Sequence, residues 1–450
     1  MFATIQRMRV LLTVLAVLTS PLTTPAQPLS VQEALLRATP AVALVVAEVG
    51  GLVTVRCGPG APPRDVTPSP HRETGTGWFV DASGWLLTNG HVVAAGYRPS
   101  SALLRERGAQ AIREACPQPS AGASAVPVPE PSIAVLLPNG LKLAATVVKY
   151  SLPVAGEAMS GQDLALLRLE VSDMPTLPLG DSASLQIGDR IHIVGFPGVV
   201  LGHELLNATA KMEASVTSGA VSGFRQDRSN QPVIQTDAPA AWGNSGGPAL
   251  NEAGEVVGVL TFVTVASDAE RTPVQGFNFV IPSAAASKFL EGTAVPRRSA
   301  GRFNAAWHAG LRHYFLGNYR RARADLAEAN RLLPELPDVR RVIADNEARQ
   351  AREPWLPWRT IAVAMLIASG TGYAALAARH WRRNQFRISP SEVAKLVETA
   401  DPPVILDVRD AAAYANSPVK IPRSVHTPLD ALGRDRLPAD PARAVIAYCT

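Results

Sequence analysis

Gly243-Asn244-Ser245-Gly246-Gly247-Pro248 and Thr88-Asn89-Gly90-His91-Val92-Val93 are the two stretches on which the fold is read. Between them in the chain lies Gly161-Gln162-Asp163-Leu164-Ala165-Leu166-Leu167. Each stretch adjoins a short apolar run and contributes one polar residue of a distinct type. A serine hydroxyl is a poor nucleophile until a nearby imidazole accepts its proton. The imidazole in turn needs a carboxylate to fix its tautomer and stabilise its cationic form. A tetrahedral oxyanion needs preorganised N–H donors. His91, Asp163 and Ser245 supply the three side chains. The glycines around Ser245 let the backbone turn so that the amides of Gly243 and Ser245 point at one oxygen. Taken singly, each residue has a plainer reading: a partly buried histidine, the start of a strand, a flexible turn. The specificity lies in the set, in this order, with its flanking strands.

Outward from these stretches, Ala41 to Ile281 reads as β-structure. Short runs of Val, Ile and Leu recur, bounded by Gly, Pro, Asn and Asp. Residues 76–80 and 84–88 flank the turn Asp81-Ala82-Ser83. Residues 133–137 and 141–148 flank Pro138-Asn139-Gly140, a good hairpin turn. The run 256–262 follows a turn over 251–255. About a dozen such strands, with no long helical pattern, predict barrels or a sandwich.

This region resembles the trypsin-like serine proteases of the bacterial high-temperature-requirement (HtrA-like) type. The likeness rests on 76–80 (TGWFV), 88–93 (TNGHVV), 163–167 (DLALL), 179–182 (LGDS), 187–189 (IGD) and 194–197 (VGFP). It continues through 217–222 (TSGAVS), 235–238 (QTDA), 243–248 (GNSGGP) and 276–282 (GFNFVIP). It spans about 240 residues, with a domain expected over 40–290, and the order His, Asp, Ser is that of the chymotrypsin arrangement. The resemblance implies a double β-barrel with the site between the barrels. It implies His91 as general base, Asp163 as its orienter, Ser245 as nucleophile and Gly243-Asn244-Ser245 as the oxyanion-hole segment. The base of the primary substrate pocket then falls at Pro239, with Gly276, Phe277, Asn278 and Phe279 as a wall. No acid stands at Pro239, so small or medium apolar side chains are expected at the cleaved position. Residues 97–131 depart from the family as an insert, either a mobile loop over the cleft or a surface excursion. Cys57 and Cys116 are permitted to pair by compartment.

Two hydrophobic segments predict the topology. Residues 1–26 carry Arg7 and Arg9, an apolar run over 10–18 and a small-residue exit, the pattern of a secretory signal peptide. Residues 360–378 lack any formal charge and, as a helix, reach about 28 Å, close to the hydrocarbon thickness. Trp355, Trp358 and Trp381 flank them, and Arg379, Arg382 and Arg383 follow. The protease region is thus expected in the periplasm or outside, anchored in the bacterial inner membrane by a single span, with a cytoplasmic tail.

Between these, residues 302–339 switch to helical periodicity, within a hairpin domain expected over 300–350, where many relatives carry a PDZ domain. Gly310, Gly317, Tyr319, Ala322, Leu326, Ala329 and Pro334 stand at the spacings of one tetratricopeptide-like repeat, which cannot bury its own face. The expected helical hairpin packs on the protease, pairs with another chain or stands as an ordinary hairpin. The tail, 386–450, resembles a truncated rhodanese domain, with its Asp407-Val408-Arg409 strand and Cys449 at a strand end. With the residues that a rhodanese has after its cysteine, Cys449 would carry a persulfide.

The fold class expected is a mainly β, chymotrypsin-like double barrel with a helical hairpin, one transmembrane helix and a partial α/β rhodanese-like domain. The 450 residues allow roughly three units at about 150 residues each. With 18% charged and 47% hydrophobic residues the chain is neither disordered nor highly charged, and a net charge of +5 does not imply nucleic acid. Three cysteines exclude a Cys-built zinc site, and neither a metal nor an organic cofactor is implied. The function read is a membrane-anchored serine endopeptidase acting on polypeptides, unfolded or exported proteins among them. Two alternatives stay open: a membrane scaffold or sensor with a binding-only protease fold, and a sulfurtransferase with an accessory exported domain. Oligomeric state is not legible.

Overall fold

The computed structural model describes residues 30–118, 120–151, 162–227, 230–265, 273–296, 301–352, 358–433 and 443–449. The signal-peptide segment lies outside them. The chain divides into two units, Met1–Glu353 and Pro354–Thr450, taken separately below.

The first unit opens with α1 (Val31–Ala38), capped by the Ser30 hydroxyl, which accepts the Glu33 amide at 3.1 Å. Strands β1 (Val42–Arg56), β2 (Arg64–Val66), β3 (His71–Asp81) and β4 (Trp85–Thr88) follow. The β3–β4 turn is set by Asp81, whose Oδ1 accepts the Ser83 amide at 2.8 Å, and by Gly84 at φ +95°. Two helices come next, α2 (Gly90–Tyr97) and α3 (Ser101–Ala115), then β5 (Ser124–Leu136), β6 (Lys142–Ala144), β7 (Thr146–Ser151) and β8 (Leu164–Arg168). Together the strands make one eight-stranded antiparallel sheet in the order β6-β5-β1-β3-β4-β8-β7, with β2 beside β1.

A second β-system, which unlike the first sheet closes into a barrel among the described residues, is built from β9 (Arg190–Gly195), β10 (Ser215–Gln226), β11 (Pro232–Thr236), β12 (Pro248–Leu250), β13 (Val256–Val265) and β14 (Pro273–Pro282). The order is β10-β11-β14-β13-β12-β9, so every barrel edge is paired. Helix α4 (Ser283–Leu290) follows it. Its Ala286 and Phe289 join a core with Trp78, Leu87, Leu164 and Leu166 of the first sheet and Val194, Val259 and Ile281 of the second. That shared core fixes the two β-systems to each other.

Two expectations are corrected here. The insert over 97–131 is neither a loose loop nor a simple excursion: it forms α3 and the first half of β5. The β1–β5 ladder runs unbroken from Leu44↔Leu136 to Arg56↔Ser124 despite Pro127, Pro129 and Pro131. These prolines fall on every second residue, so their missing N–H groups all lie on the strand edge away from β1, beyond the short reach of β6. Ala111 of α3 and Val53 and Val55 of β1 enclose Cys116, which is disulfide-bonded to Cys57. Second, residues 302–351 form three helices, not a hairpin: α5 (Arg302–Phe315), α6 (Tyr319–Leu332) and α7 (Pro337–Ala351). Their Phe303, Trp307, Leu311, Leu326 and Val339 share one core with Val45, Phe79, Leu86 and Leu167 of the first sheet. Asn304 seals the seam: its Nδ2 donates to the Thr176 carbonyl at 2.9 Å and its Oδ1 accepts the Thr176 amide at 3.0 Å. Trp307 Nε1 donates to the Leu36 carbonyl at 2.9 Å. The helices pack on the β-domain as part of its core.

In the second unit, α8 (Trp358–Asn384) contains the one helix stretch among the described residues long and apolar enough to cross a membrane, Ile361–Asn384, none of it buried by protein. Helix α9 (Pro390–Val397) begins with a capping box between Ser389 and Glu392. A small parallel sheet, in the order β16 (Val425–His426), β15 (Val404–Asp407) and β17 (Val445–Tyr448), flanks α10 (Ala411–Asn416). Arg409, buried, closes two hydrogen bonds on the buried Asp407 carboxylate, which also accepts from Tyr448 Oη at 2.5 Å.

Candidate active site

His91 lies on a helix, as the second residue of α2. The first amides of a helix have no partner within it. Here the orphan amide of His91 donates to Asp163 Oδ1 at 2.8 Å. Asp163 Oδ2 lies 2.5 Å from His91 Nδ1 and accepts the Thr261 hydroxyl at 2.9 Å. The carboxylate, 2% exposed, is therefore held on three sides by donors. Because an ionised carboxylate only accepts, Nδ1 carries the proton and Nε2 is left with its lone pair. Two neighbours make this approach possible. A side chain at Gly90 would place its Cβ 3.2 Å from Asp163 Oδ1 and 2.5 Å from the Ser151 carbonyl. Asn89 Nδ2 donates to the Asp163 carbonyl at 2.7 Å, tying the segment before α2 to the start of β8. Burial works against the charged imidazolium of His91. The Asp163 charge and hydrogen bond outweigh it, with a smaller push from Glu73, so the His91 pKa stands above its ordinary 6.5.

Ser245 sits in the turn between β11 and β12. Gly243 has φ +98°, and a Cβ there would lie 2.4 Å from the Phe196 carbonyl. Gly246 has φ +86°, and its Cβ would meet the Thr76 carbonyl at 2.2 Å. Only glycine fits either place. The Asn244 amide is consumed by the Ala241 carbonyl at 3.1 Å. The amides of Gly243 and Ser245 have no protein acceptor among the described residues. Two orphan donors flanking a serine hydroxyl are what an oxyanion would find. The Trp242 carbonyl accepts the Gly198 amide at 2.6 Å. Since that peptide is trans, the Gly243 N–H on its far side points away from Gly198.

Pro239 is exposed, and its carbonyl accepts the Thr217 hydroxyl at 2.6 Å. Asn278 is fully buried and donates from Nδ2 to the neighbouring Ala238 carbonyl at 2.7 Å. The ladder pairs Gln235↔Phe279 and Thr236↔Asn278 lay the 276–279 segment beside the 236–239 segment. Gly276 turns at φ +85°, and Phe277 and Trp242 are each 51% exposed. Cys449 is exposed in the second unit, after β17. Among the described residues, no cluster of His, Cys, Asp or Glu is arranged to hold a metal. Sequence reasoning assigned no role to Thr76 or Thr261, both of which touch this machinery. A threonine within a strand reads only as a strand former, so spacing held no signal for either.

Residues 75–259 match the family model described as a trypsin-like peptidase domain. The mitochondrial serine protease HTRA2 of Bos taurus is 28% identical over 295 residues, covering 62% of this chain and 49% of that protein. A probable periplasmic serine endoprotease, DegP-like, of Hahella chejuensis (strain KCTC 2396) is 30% identical over 226 residues, 50% of this chain and 36% of that one. Among solved structures, an HtrA-type protease AlgW with decapeptide is 24% identical, covering 58% of this chain and 66% of that chain, at a TM-score of 0.37. The chain spans about half the length, or less, of the curated relatives it matches. Residues 75–259 thus match the trypsin-like peptidase domain, and the chain is similar over half of its length or more to HTRA2 and DegP-like serine proteases.

Proposed function

We propose that the chain is a membrane-anchored serine endopeptidase that hydrolyses peptide bonds of exported polypeptides through His91, Asp163 and Ser245. One observation carries the reading. The Asp163 carboxylate fixes both the His91 amide and Nδ1, leaving Nε2 as acceptor, while two orphan amides flank Ser245. In the reaction, His91 Nε2 takes the Ser245 proton as Oγ attacks the scissile carbonyl. The developing oxyanion is received by the amides of Gly243 and Ser245. The imidazolium, stabilised by Asp163, protonates the leaving amine. A water deprotonated by His91 then hydrolyses the acyl-enzyme. Pro239 and the 276–279 wall form the primary pocket, and the lack of an acid at Pro239 favours small or medium apolar side chains.

The apolar stretch of α8 supports the single span. Export of the protease domain agrees with the sequence of residues 1–26 and with the word periplasmic in the names of DegP-like relatives. Residues 386–450 are read as a rhodanese-like module on the cytoplasmic side, with Cys449 at the end of β17 as its candidate thiol. The proteolytic reading is tested on the full-length chain with unfolded casein, scoring internal fragments by mass spectrometry. Wild type is expected to cleave within the chain and Ser245→Ala to leave casein intact. Equal cleavage by both would refute it.

A further inference from the structure

One hydroxyl outside the proposed triad sits where the two β-systems meet. Thr76, wholly buried on β3, makes four hydrogen bonds, and three of them reach the second barrel. Its amide donates to the Ser245 carbonyl at 2.8 Å. Its hydroxyl donates to the Gly243 carbonyl at 2.7 Å and accepts the Phe196 amide at 3.0 Å. Its own carbonyl accepts the Thr88 hydroxyl at 2.7 Å, three residues before His91. The hydroxyl has a single proton, and Gly243 takes it.

We propose that Thr76 is the positioning residue of the oxyanion-binding amides, acting through the Gly243 carbonyl and the Phe196 amide. The inference rests on the serine-protease reading above. Gly243 carries one of the two orphan amides, and the orientation of its N–H is set by the peptide planes on either side. On one side, the Gly243 carbonyl is fixed directly by Thr76 Oγ1. On the other, the Trp242 carbonyl is fixed by the Gly198 amide, and the segment Phe196-Pro197-Gly198 that follows β9 is itself held by Thr76 Oγ1 through the Phe196 amide. A single oxygen atom therefore ties down both restraints on the Gly243 peptide. Gly243 at φ +98° has the freedom to rotate once either restraint is lost. Rotation would turn the Trp242 carbonyl toward the place where the oxyanion must sit, replacing a donor by an acceptor. The methyl group acts separately. A Cβ on Gly247 would lie 3.3 Å from Thr76 Cγ2, so the methyl packs the other side of the turn. Hydroxyl and methyl can thus be removed one at a time.

The test compares wild type, Thr76→Val, Thr76→Ser and Asn304→Ala in the full-length chain. Two probes are read: hydrolysis of a succinyl-Ala-Ala-Pro-Val thioester, and inhibition by the matching peptide boronate. The boronate forms a tetrahedral adduct on Ser245 with an oxygen in the oxyanion site. Removing one oxyanion donor outright costs about 10²–10³ in kcat, so a misaimed one is expected to cost about 10–100-fold. In Thr76→Val, kcat and boronate affinity should fall together by that factor while KM changes less than about twofold. Thr76→Ser, which keeps the hydroxyl, should stay within about threefold of wild type. Asn304→Ala, which breaks the α5 seam to Thr176, should lower the melting temperature without changing kcat, which separates positioning from stability. Should Thr76→Val not fold, Thr76→Cys, of similar volume and weak hydrogen bonding, is read in the same two assays. Wild-type kcat and boronate affinity in Thr76→Val would overturn the proposal, as would Thr76→Ser impaired as deeply as Thr76→Val. A folded wild type that neither cleaves the thioester nor binds the boronate would overturn the protease reading itself, and the Thr76 role with it.

Discussion

Replacing Asp163 by Asn probes the hydrogen-bond arithmetic of the site with almost no change in shape. The native carboxylate accepts at both oxygens: the His91 amide at 2.8 Å on Oδ1, and His91 Nδ1 at 2.5 Å with the Thr261 hydroxyl at 2.9 Å on Oδ2. An Asn side chain has one acceptor and one donor, so one of two conflicts must follow. If its oxygen stays on the His91 amide, its NH₂ faces Nδ1. His91 must then carry its proton on Nε2 and can no longer accept one from Ser245. If the amide flips, its NH₂ meets the His91 N–H, donor against donor, in a place where the native side chain is 2% exposed. The first conflict leaves the fold intact and is the milder. The corresponding change in the chymotrypsin triad lowers kcat about 10⁴-fold, or about 5 kcal/mol of transition-state stabilisation. Loss of hydrogen bonds to a buried charge should also reduce stability by about 1.5–3 kcal/mol. The assay is kcat on a peptide thioester, normalised to the folded fraction from a melting curve. A kcat for Asp163→Asn within about tenfold of wild type would refute the tautomer argument.

Further expectations rest on other parts of the structure. Because Asp163 holds the His91 pKa above 6.5 against the effect of burial, kcat/KM should rise with pH through an inflection above 6.5 as the imidazole loses its proton; an inflection below 6.5 would contradict this. Trp307→Ala should destabilise the first unit by about 3–5 kcal/mol, since Trp307 fills a core shared by the helices and the first sheet; urea titration should then show one cooperative transition moved as a whole. Cys57→Ser with Cys116→Ser opens a closure of 59 residues, for which the chain-entropy model gives about 4 kcal/mol; the loss should be read as a lower melting temperature equal to that of reduced wild type.

The parts legible in the sequence were those where a residue type has few other uses. Glycines at 243 and 246 in positive φ, a Pro-Asn-Gly turn at 138–140 and alternating apolar strands each leave a local mark. So did the uncharged run inside α8. What escaped were arrangements settled by distant partners. The insert over 97–131 reads as Pro- and Ser-rich, yet Ser100 caps α3 by accepting the Leu103 amide, and the alternate prolines spare the β1 ladder. His91 stands among apolar residues that carry no local helix signal, whereas Asp163 accepts its helix-end amide from 72 residues away. Residues 302–351 resemble a repeat needing neighbours; the first sheet supplies the missing face, and Asn304 and Trp307 are the polar contacts that fix it. Thr76 and Thr261 act through bonds to residues 167 and 98 positions away, a separation at which spacing carries no signal.

The central claim is that Ser245 is an activated nucleophile. It is tested most directly by exposing the full-length folded chain to a fluorophosphonate probe and locating the adduct by peptide mass spectrometry. One adduct per chain on Ser245, absent in Ser245→Ala and strongly slowed in Asp163→Asn, is the predicted result. A folded wild type that stays unlabelled, or labelling that persists in Ser245→Ala, would contradict it.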